Sequence, residues 1–276
     1  MSLKNLDEII EAALEEDMPE GDVTSESLID PDSVSEAFLV AKEKGVLAGI
    51  EIAEWVFQKI DPNVKFEALK QDGDDFENQD RLGQIKGPSR SLLNGERLAL
   101  NFIQRLSGIA TLTKKYTDIL KQTKTKLLDT RKTTPCMRML EKYAVRMGGG
   151  VNHRLNLSEM ILIKDNHLHL VGSIKEAIQR ARKAVGEKIK IEVETTSLDE
   201  VKEALKYGAD IIMLDNMSPE DISRAVKAVD GRVPLEVSGN ITLSKLKEVA
   251  ELGVDFISAG SLTHSFRSLD ISMDFK

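Results

Sequence analysis

The sequence predicts an α/β protein: an incomplete parallel α/β barrel of about six strands, preceded by an α+β domain. Three observations carry this. From about residue 126 onward, short apolar stretches alternate with amphipathic ones, the pattern of right-handed βαβ units around a parallel sheet. Six strands in about 150 residues fall short of the eight strands and roughly 250 residues of a complete (β/α)₈ barrel. Every predicted strand also ends in polar or glycine-rich residues, where barrel proteins carry their chemistry. A doubly wound open sheet is the structural alternative.

The strands are expected at Lys126–Asp129, Met160–Ile163, Ile189–Val193, Asp210–Leu214, Val233–Val237 and Val254–Ile257. Helical periodicity lies between them, over about 136–147, 173–185, 197–207, 218–229 and 243–252. Upstream, Ala37–Ala48 and Val64–Leu69 read as strands, with a helix over Ile50–Ile60 between them and a turn-rich run from Gln71 to Asp75 after them. A long helix starts near Ser89 or Ser91 and runs towards Gln122, with Ala99, Phe102, Leu106, Ile109, Tyr116 and Leu120 on its apolar positions. Gly108 is a weak point inside it. The division falls between an N-terminal α+β domain, 1–107, and a barrel domain, 108–276, with no low-complexity linker or internal repeat between them.

Composition narrows the function classes. With 41% hydrophobic and 30% charged residues the 276-residue chain can bury a sizeable core and stay soluble. No apolar run approaches the roughly 18 to 20 residues that span a bilayer, so no membrane role is expected. The opening MSLKNLDEIIEAALEED is acidic and amphipathic, without a signal-peptide core. One cysteine, Cys136, excludes an internal disulfide framework and a cysteine-built metal site. Together these point to the cytoplasm. A net charge of −8 argues against general nucleic-acid binding.

That charge is uneven. Between Asp129 and Lys164, seven cations (Arg131, Lys132, Arg138, Lys142, Arg146, Arg154 and Lys164) face three anions, Asp129, Glu141 and Glu159. A basic island on an acidic chain points to a small anionic ligand held in one place. Arg138, Lys142 and Arg146, at i, i+4 and i+8, read more simply as a solvated helix face. Gly148-Gly149-Gly150 exceeds the one glycine a helix C-cap needs. The excess points to tight backbone approach or to a loop shaped around a ligand, delivering His153 and Arg154; a flexible hinge is the plainer reading. His167-Leu168-His169 is not read as a zinc site, and no G-x-S-x-G elbow marks a serine hydrolase.

The strand ends read in order Asp129-Thr130-Arg131-Lys132, Lys164-Asp165-Asn166-His167, Glu194, Asp215-Asn216, Ser238-Gly239-Asn240 and Ala259-Gly260-Ser261. On the third strand a period of two puts Lys190, Glu192 and Glu194 on one face and Ile189, Ile191 and Val193 on the other. Charges pointing into a barrel are costly unless paired or binding something. Lys190 and Glu192 are expected to pair internally, leaving Glu194 as the functional group. The same alternation sets Glu236 with Ser238, and Asp215 on the face of Ile211 and Met213. Glycines in the last two loops let a phosphate approach the backbone just before a helix start, where free N–H groups favour an anion.

LLDTRKTTPCMRMLEKYAVRMGGGVNHRLNLSEMILIKDNHL closely resembles the signature of the quinolinate phosphoribosyltransferase family, the carboxylating nicotinate-nucleotide pyrophosphorylases. EDMPEGDVTSE, NGERLALNFIQRLSGIATLT, IKIEVET, DIIMLDN, EVSGNI and FISAGSLTHS agree in the same order, over nearly the full chain. Cys136 and Met147 depart from the pattern at positions not expected to touch substrate.

The resemblance implies that quinolinate attacks C1 of phosphoribosyl pyrophosphate and loses its 2-carboxylate, giving nicotinate mononucleotide for NAD synthesis. Arg131, His153, Arg154 and Lys164 would hold the two carboxylates, Lys132 would meet the phosphoribosyl pyrophosphate, and Thr130 would be a further substrate-binding residue. Glu194 and Asp215 would bind ribose hydroxyls and stabilise developing positive charge, making Lys164, Glu194 and Asp215 the catalytic set. Ser238, Gly239, Asn240, Gly260 and Ser261 would hold the 5′-phosphate, with Mg²⁺ carried on the pyrophosphate and no dedicated protein metal site. Arg97, in the family's ERxxLN motif, would enter the neighbouring active site of a homodimer, itself able to build a higher assembly. Decarboxylation is expected to need no further acid or base, because the alkylated ring nitrogen stabilises the carbanion. The competing readings are transfer to nicotinate without decarboxylation, a paralogue associated with molybdate transport, and a non-catalytic binding protein; intact Lys164, Glu194 and Asp215 speak against the last.

Overall fold

The structure, a computed structural model, describes residues 3–276. In chain order it forms α1 (Leu3–Asp17), α2 (Val23–Leu28), β1 (Val34–Ala41), β2 (Gly45–Val46), α3 (Ile50–Ile60), β3 (Lys65–Ala68), β4 (Asp75–Phe76), β5 (Arg81–Pro88) and α4 (Ser89–Leu120). Then follow β6 (Lys126–Leu128), α5 (Arg138–Met147), β7 (Ile161–Ile163), α6 (Asp165–Val171), α7 (Ile174–Val185), β8 (Ile191–Thr195), α8 (Leu198–Tyr207) and β9 (Ile211–Asp215). The chain ends with α9 (Pro219–Val229), β10 (Leu235–Ser238), α10 (Leu243–Glu251), β11 (Phe256–Ser258), α11 (Ser261–His264) and β12 (Ile271–Phe275). Two compact units interleave along it: one runs up to Lys114 and takes in Thr134–Gly149 and Ser265–Lys276, the other holds Lys115–Thr133 and Gly150–His264. The division drawn at 107/108 from sequence lies within α4, and the units are discontinuous because α5 and β12 belong with the first.

In the first unit β12, β1, β5 and β3 form an antiparallel sheet in that order, with Leu39 opposite Met273 and Ala37 opposite Ile85. Ile50, Ile52, Ala53, Val56 and Phe57 bury one face of α3. The turn-rich segment supplies the cap of this helix. Its Asp72 carboxylate accepts the N–H groups of Gly49 and Ile50 at 2.9 and 3.0 Å, satisfying donors at the helix start. The Tyr143 hydroxyl of α5 donates to the same carboxylate at 2.6 Å.

Of Arg138, Lys142 and Arg146, Arg146 is exposed and Arg138 half-buried, but the solvated face expected of α5 fails at Lys142. Lys142 is 1% exposed and Glu141, which takes the Arg105 guanidinium, is fully buried. The cause is close packing on α4: a Cβ on Gly148 would stand 2.3 Å from the Ala110 carbonyl oxygen, so no water layer covers that side. This also accounts for the first glycine of the triplet. Gly108 does not break α4; its missing side chain admits the Arg267 carbonyl, 2.2 Å from where a Cβ would be.

In the second unit the strands run β6-β11-β10-β9-β8-β7, and every pairing is parallel. Alternation puts Ile191, Val193, Ile212, Leu214, Leu235, Val237 and Ile257 in the core, together with the apolar faces of α7, α8, α9 and α10. Ser173, Ser197 and Ser218 cap α7, α8 and α9 through their side-chain oxygens, each such cap contributing about 1 kcal/mol. β6 and β7 are the edges of this sheet, and a bridge from Leu128 to Val151 covers the edge of β6. Loops from both edges line one cavity, so the sheet is curled into an incomplete six-stranded barrel.

Replacing Gly108 by alanine tests the packing on α4. Helix propensity alone would favour alanine by about 1 kcal/mol. The close carbonyl reverses this, and urea unfolding is expected to show a loss of about 1–3 kcal/mol.

Candidate active site

Loops and strand ends of the barrel enclose a cavity of about 760 Å³. Period-two alternation gives the strands paired inward positions. Leu162, Met213, Glu236 and Ser258 lie deeper, and Lys164, Glu194, Asp215, Ser238 and Gly260 lie at the strand ends. Thr130, Arg131 and Lys132 arrive on the loop after β6, His153 and Arg154 on the loop before β7, and Gly239, Asn240 and Ser261 on the last two turns. Arg97 is exposed on α4 in the first unit and is not among the lining residues.

At the mouth, Lys164 Nζ meets Glu194 Oε2 at 2.6 Å. His167 fixes the backbone at that lysine: its Nδ1 accepts the Lys164 backbone N–H at 3.0 Å where α6 begins. Gly239 has φ +97°, and a Cβ there would stand 2.2 Å from Asn216 Oδ1, so both conformation and space require glycine. Asn216 and Asn240 on either side are also left-handed, at φ 53° and 48°. The Asn216 amide donates to Asp215 Oδ2 at 2.8 Å. A Cβ on Gly260 would stand 2.9 Å from Lys132 Cδ and 3.1 Å from His264 Nε2. These bare stretches of backbone, beside Ser238, Ser261 and Thr242, have the chemistry of a phosphate cradle.

Deeper in, Asp129 is fully buried and accepts the His153 backbone N–H at 2.9 Å and the Asn152 side-chain amide. The Arg154 backbone N–H donates to His153 Nδ1 at 2.8 Å. The other ring nitrogen, Nε2, lies 2.9 Å from Glu192 Oε2 and 3.4 Å from Glu236 Oε2. Glu192 is fully buried and Glu236 is 1% exposed. The expected Lys190–Glu192 pair does not form: Lys190 precedes β8 and is exposed, and histidine takes its place. By spacing, the three side chains could surround a cation, their ligand atoms lying within 4.8 Å of one another. Nε2 is already engaged by the carboxylates, however.

Burial, reinforced by the Glu236 charge, outweighs the His153 contact and pushes Glu192 up to about 7. At His153 burial works against protonation, but the hydrogen bonds and charges of Glu192 and Glu236 prevail and push it up to about 9. Arg154 is held below the usual arginine range by burial and then by the like charge of Arg131. Among the described residues neither arginine forms an ion pair with a carboxylate, and Arg131 Nε is buried without a partner. Ser258 Oγ, Glu192 Oε1 and Glu236 Oε1 are likewise buried and unpartnered. Two adjoining guanidiniums with no carboxylate in ion-pair contact, next to a phosphate cradle, suit an anionic ligand.

Sequence reasoning did not select Asn216, Glu236, Thr242, Ser258 or His264 as site residues. Glu236 and Ser258 follow from the alternation that picked out Ser238 and Gly260, carried two residues back along each strand.

Fold and site together define an α/β-barrel enzyme for anionic, phosphorylated small molecules. Models of the quinolinate phosphoribosyl transferase N-terminal and C-terminal domains match residues 22–107 and 109–274, and the chain belongs to this family. It is 47% identical over 259 residues to a probable nicotinate-nucleotide pyrophosphorylase [carboxylating] of Bacillus subtilis, covering 94% of this chain and 89% of that protein. The crystal structure of NadC from Streptococcus pyogenes superposes with a TM-score of 0.97 at 44% identity, covering 100% of this chain and 98% of that one. The nicotinate-nucleotide pyrophosphorylase structure from Francisella tularensis gives 0.94 at 41% identity, covering 99% and 96%.

The raised values at Glu192 and His153 set a pH dependence of stability. Folding takes up protons at both groups, so the stabilisation is complete on the acid side. It is lost as pH rises through about 7 for Glu192 and about 9 for His153. The urea midpoint is expected to fall between about pH 6 and pH 9.5, and to fall less in Glu192→Gln.

Proposed function

We propose that this chain joins quinolinate to phosphoribosyl pyrophosphate and releases pyrophosphate and CO₂, forming nicotinate mononucleotide. The observation that carries the reading is the pair of uncompensated guanidiniums, Arg131 and Arg154, in the same cavity as the glycine-lined cradle. A volume of about 760 Å³ accommodates a pyridine dicarboxylate together with a phosphorylated sugar.

Arg131, Arg154 and Lys164 bind the dicarboxylate and aim the ring nitrogen at C1 of the sugar; His153, expected in the same set, has its Nε2 turned to Glu192 and Glu236 instead. Their convergence supplies the proximity on which a two-substrate reaction depends. As the bond from C1 to pyrophosphate breaks, Glu194, fixed by Lys164, and Asp215 face the developing positive charge and the ribose hydroxyls. Lys132 and Thr130 meet the pyrophosphate. Ser238, Gly239, Asn240, Gly260 and Ser261 hold the 5′-phosphate.

Mg²⁺ arrives on the pyrophosphate and, when bound, neutralises charge on the leaving group. The donor set fits an ion that keeps its water and phosphate oxygens, with Asp215 as the nearby carboxylate, rather than a protein cage. The working unit is a homodimer in which Arg97 serves the partner's cavity, and the exposure of Arg97 outside its own cavity supports this. Action in the cytoplasm is part of the same proposal; among the described residues no helix is long and apolar enough to cross a membrane.

The test is an end-point assay with phosphoribosyl pyrophosphate and Mg²⁺, offering quinolinate and nicotinate in parallel. Nicotinate mononucleotide with CO₂ from quinolinate alone is the expected result, and chelation of Mg²⁺ is expected to abolish it. Turnover of nicotinate alone would overturn the decarboxylation. For Arg97, mixing Arg97→Ala with Lys164→Ala subunits is expected to restore about a quarter of wild-type activity, since each heterodimer forms one intact site. No recovery would remove Arg97 from the shared site.

A further inference from the structure

Loss of CO₂ leaves an electron pair on C2 of the pyridine ring, and the product is complete only when that carbon gains a proton. Stabilisation of the carbanion by the ring nitrogen does not supply one. Among the lining residues, the cations of Arg131 and Arg154 cannot give up a proton near neutrality, and Lys164 is tied to Glu194. Deeper in the cavity lies a group used for none of the binding roles above: the carboxyls of Glu192 and Glu236, packed with His153.

Geometry decides where a proton in this group resides. His153 Nδ1 accepts the Arg154 backbone N–H at 2.8 Å, so it carries no hydrogen of its own. Nε2 therefore bears the ring proton and donates to Glu192 at 2.9 Å, and the further proton that the facing carboxylates draw to this cluster sits on the carboxyl side rather than on Nδ1. Two buried carboxyls that face each other across this donor cannot both ionise cheaply, so they share a further proton. Each has an Oε1 without a partner, and Glu236 itself lines the cavity. The charged groups around them are Arg154 and Arg131 on the loops before β7 and after β6, Asp129 beneath His153, and Lys164, Glu194 and Asp215 at the strand ends. Arg154 favours ionisation of Glu192, whereas burial and the facing Glu236 oppose it.

We propose that the Glu192–Glu236 carboxyl pair is the acid of the site, delivering through Glu236 the proton that replaces the lost carboxylate. In this step the bond from C2 to the carboxylate breaks and CO₂ departs without its electron pair. The pair on C2 takes the carboxyl proton, and the resulting carboxylate is reprotonated from solvent as product leaves. Glu236 is the catalytic residue; Glu192 and His153 are positioning residues, fixing the ring tautomer and keeping the proton in the pair. The inference rests on the quinolinate reading above. If wild-type protein makes no nicotinate mononucleotide, that reading fails before this one is reached.

The experiment compares CO₂ with pyrophosphate released by the full-length protein in the wild type, Glu236→Gln, Glu192→Gln and Glu194→Gln, with folding checked by thermal melts. Wild type is expected to release one CO₂ per pyrophosphate at about pH 6, with the ratio falling above about pH 8 as the pair loses its proton. Glu236→Gln and Glu192→Gln are expected to lower the ratio at least about tenfold at every pH, while the still-carboxylated nucleotide accumulates. Glu194→Gln is expected to slow both releases and keep the ratio at one. A ratio of one in both Glu236→Gln and Glu192→Gln, or an equal fall of the ratio in Glu194→Gln, would overturn the proposal. Should Glu236→Gln fail to fold, Glu192→Gln decides by the same ratio and its pH profile.

Discussion

Parallel strands in a barrel impose one constraint from which the site follows: every second residue points inward, whatever its charge. Helices cover the outer face, so the outward set can be purely apolar, as Ile191, Val193, Ile212, Leu214, Leu235 and Val237 are. The inward set has no such freedom near the strand ends. Lys164, Glu194, Asp215 and Ser238 reach a solvent-accessible mouth, but Glu192 and Glu236, two residues before Glu194 and Ser238, are buried. A buried carboxylate is tolerated only with a partner or a proton. The strands provide no cation at that depth, so the partner must come from a loop.

Asp129 makes that loop reach the right place. It sits just beyond β6, is itself fully buried, and accepts the His153 backbone N–H and the Asn152 amide. A bridge between Leu128 and Val151 fixes the loop's entry, and Arg154 closes the chain onto the ring through Nδ1. Position and tautomer of one imidazole are thus set by a backbone N–H at Nδ1 and by two carboxyls at Nε2. The same turn delivers Arg154 beside Arg131, so the deep acid pair and the cation pair share a single scaffold.

Much of the barrel was legible because alternation and helical period are local signals. The strands at Asp210–Leu214 and Val254–Ile257 shifted by a residue or two, and the helix over Ile50–Ile60 was read to the residue. α6 and α11 were missed: each is a short polar segment starting directly off a strand end, too brief to show a period. β12 was missed because its partner β1 lies more than two hundred residues upstream, and pairing at that separation leaves no local trace. The one wrong partnership in the site has the same origin. Lys190 and Glu192 were paired because they are neighbours on a strand, whereas the true partner His153 is 39 residues away. The solvated face assigned to α5 holds at Arg146 and fails at Lys142 for a related reason, since only packing on α4 distinguishes Lys142 from a surface lysine.

Opposite charges stacked along one cavity bear on how a molecule with two adjacent carboxylates could react there. A guanidinium in contact with a carboxylate stabilises it more than the CO₂-like state it must become, so cation contact opposes departure. Retaining one carboxylate and losing the other therefore requires an asymmetric site. Arg131 and Arg154 provide a cationic side, and Lys164, neutralised by Glu194, extends it weakly towards the mouth. The deeper face offers Leu162, Met213, the unpartnered Ser258 hydroxyl and a carboxyl pair, none of them cationic. A departing carboxylate turned to that face would exchange solvation for apolar surroundings, which favours neutral CO₂, and would leave its electron pair beside a proton. The feature that makes Glu192 and Glu236 costly to bury, two facing carboxyls with a single imidazole N–H between them, is then the feature that suits them to act as an acid.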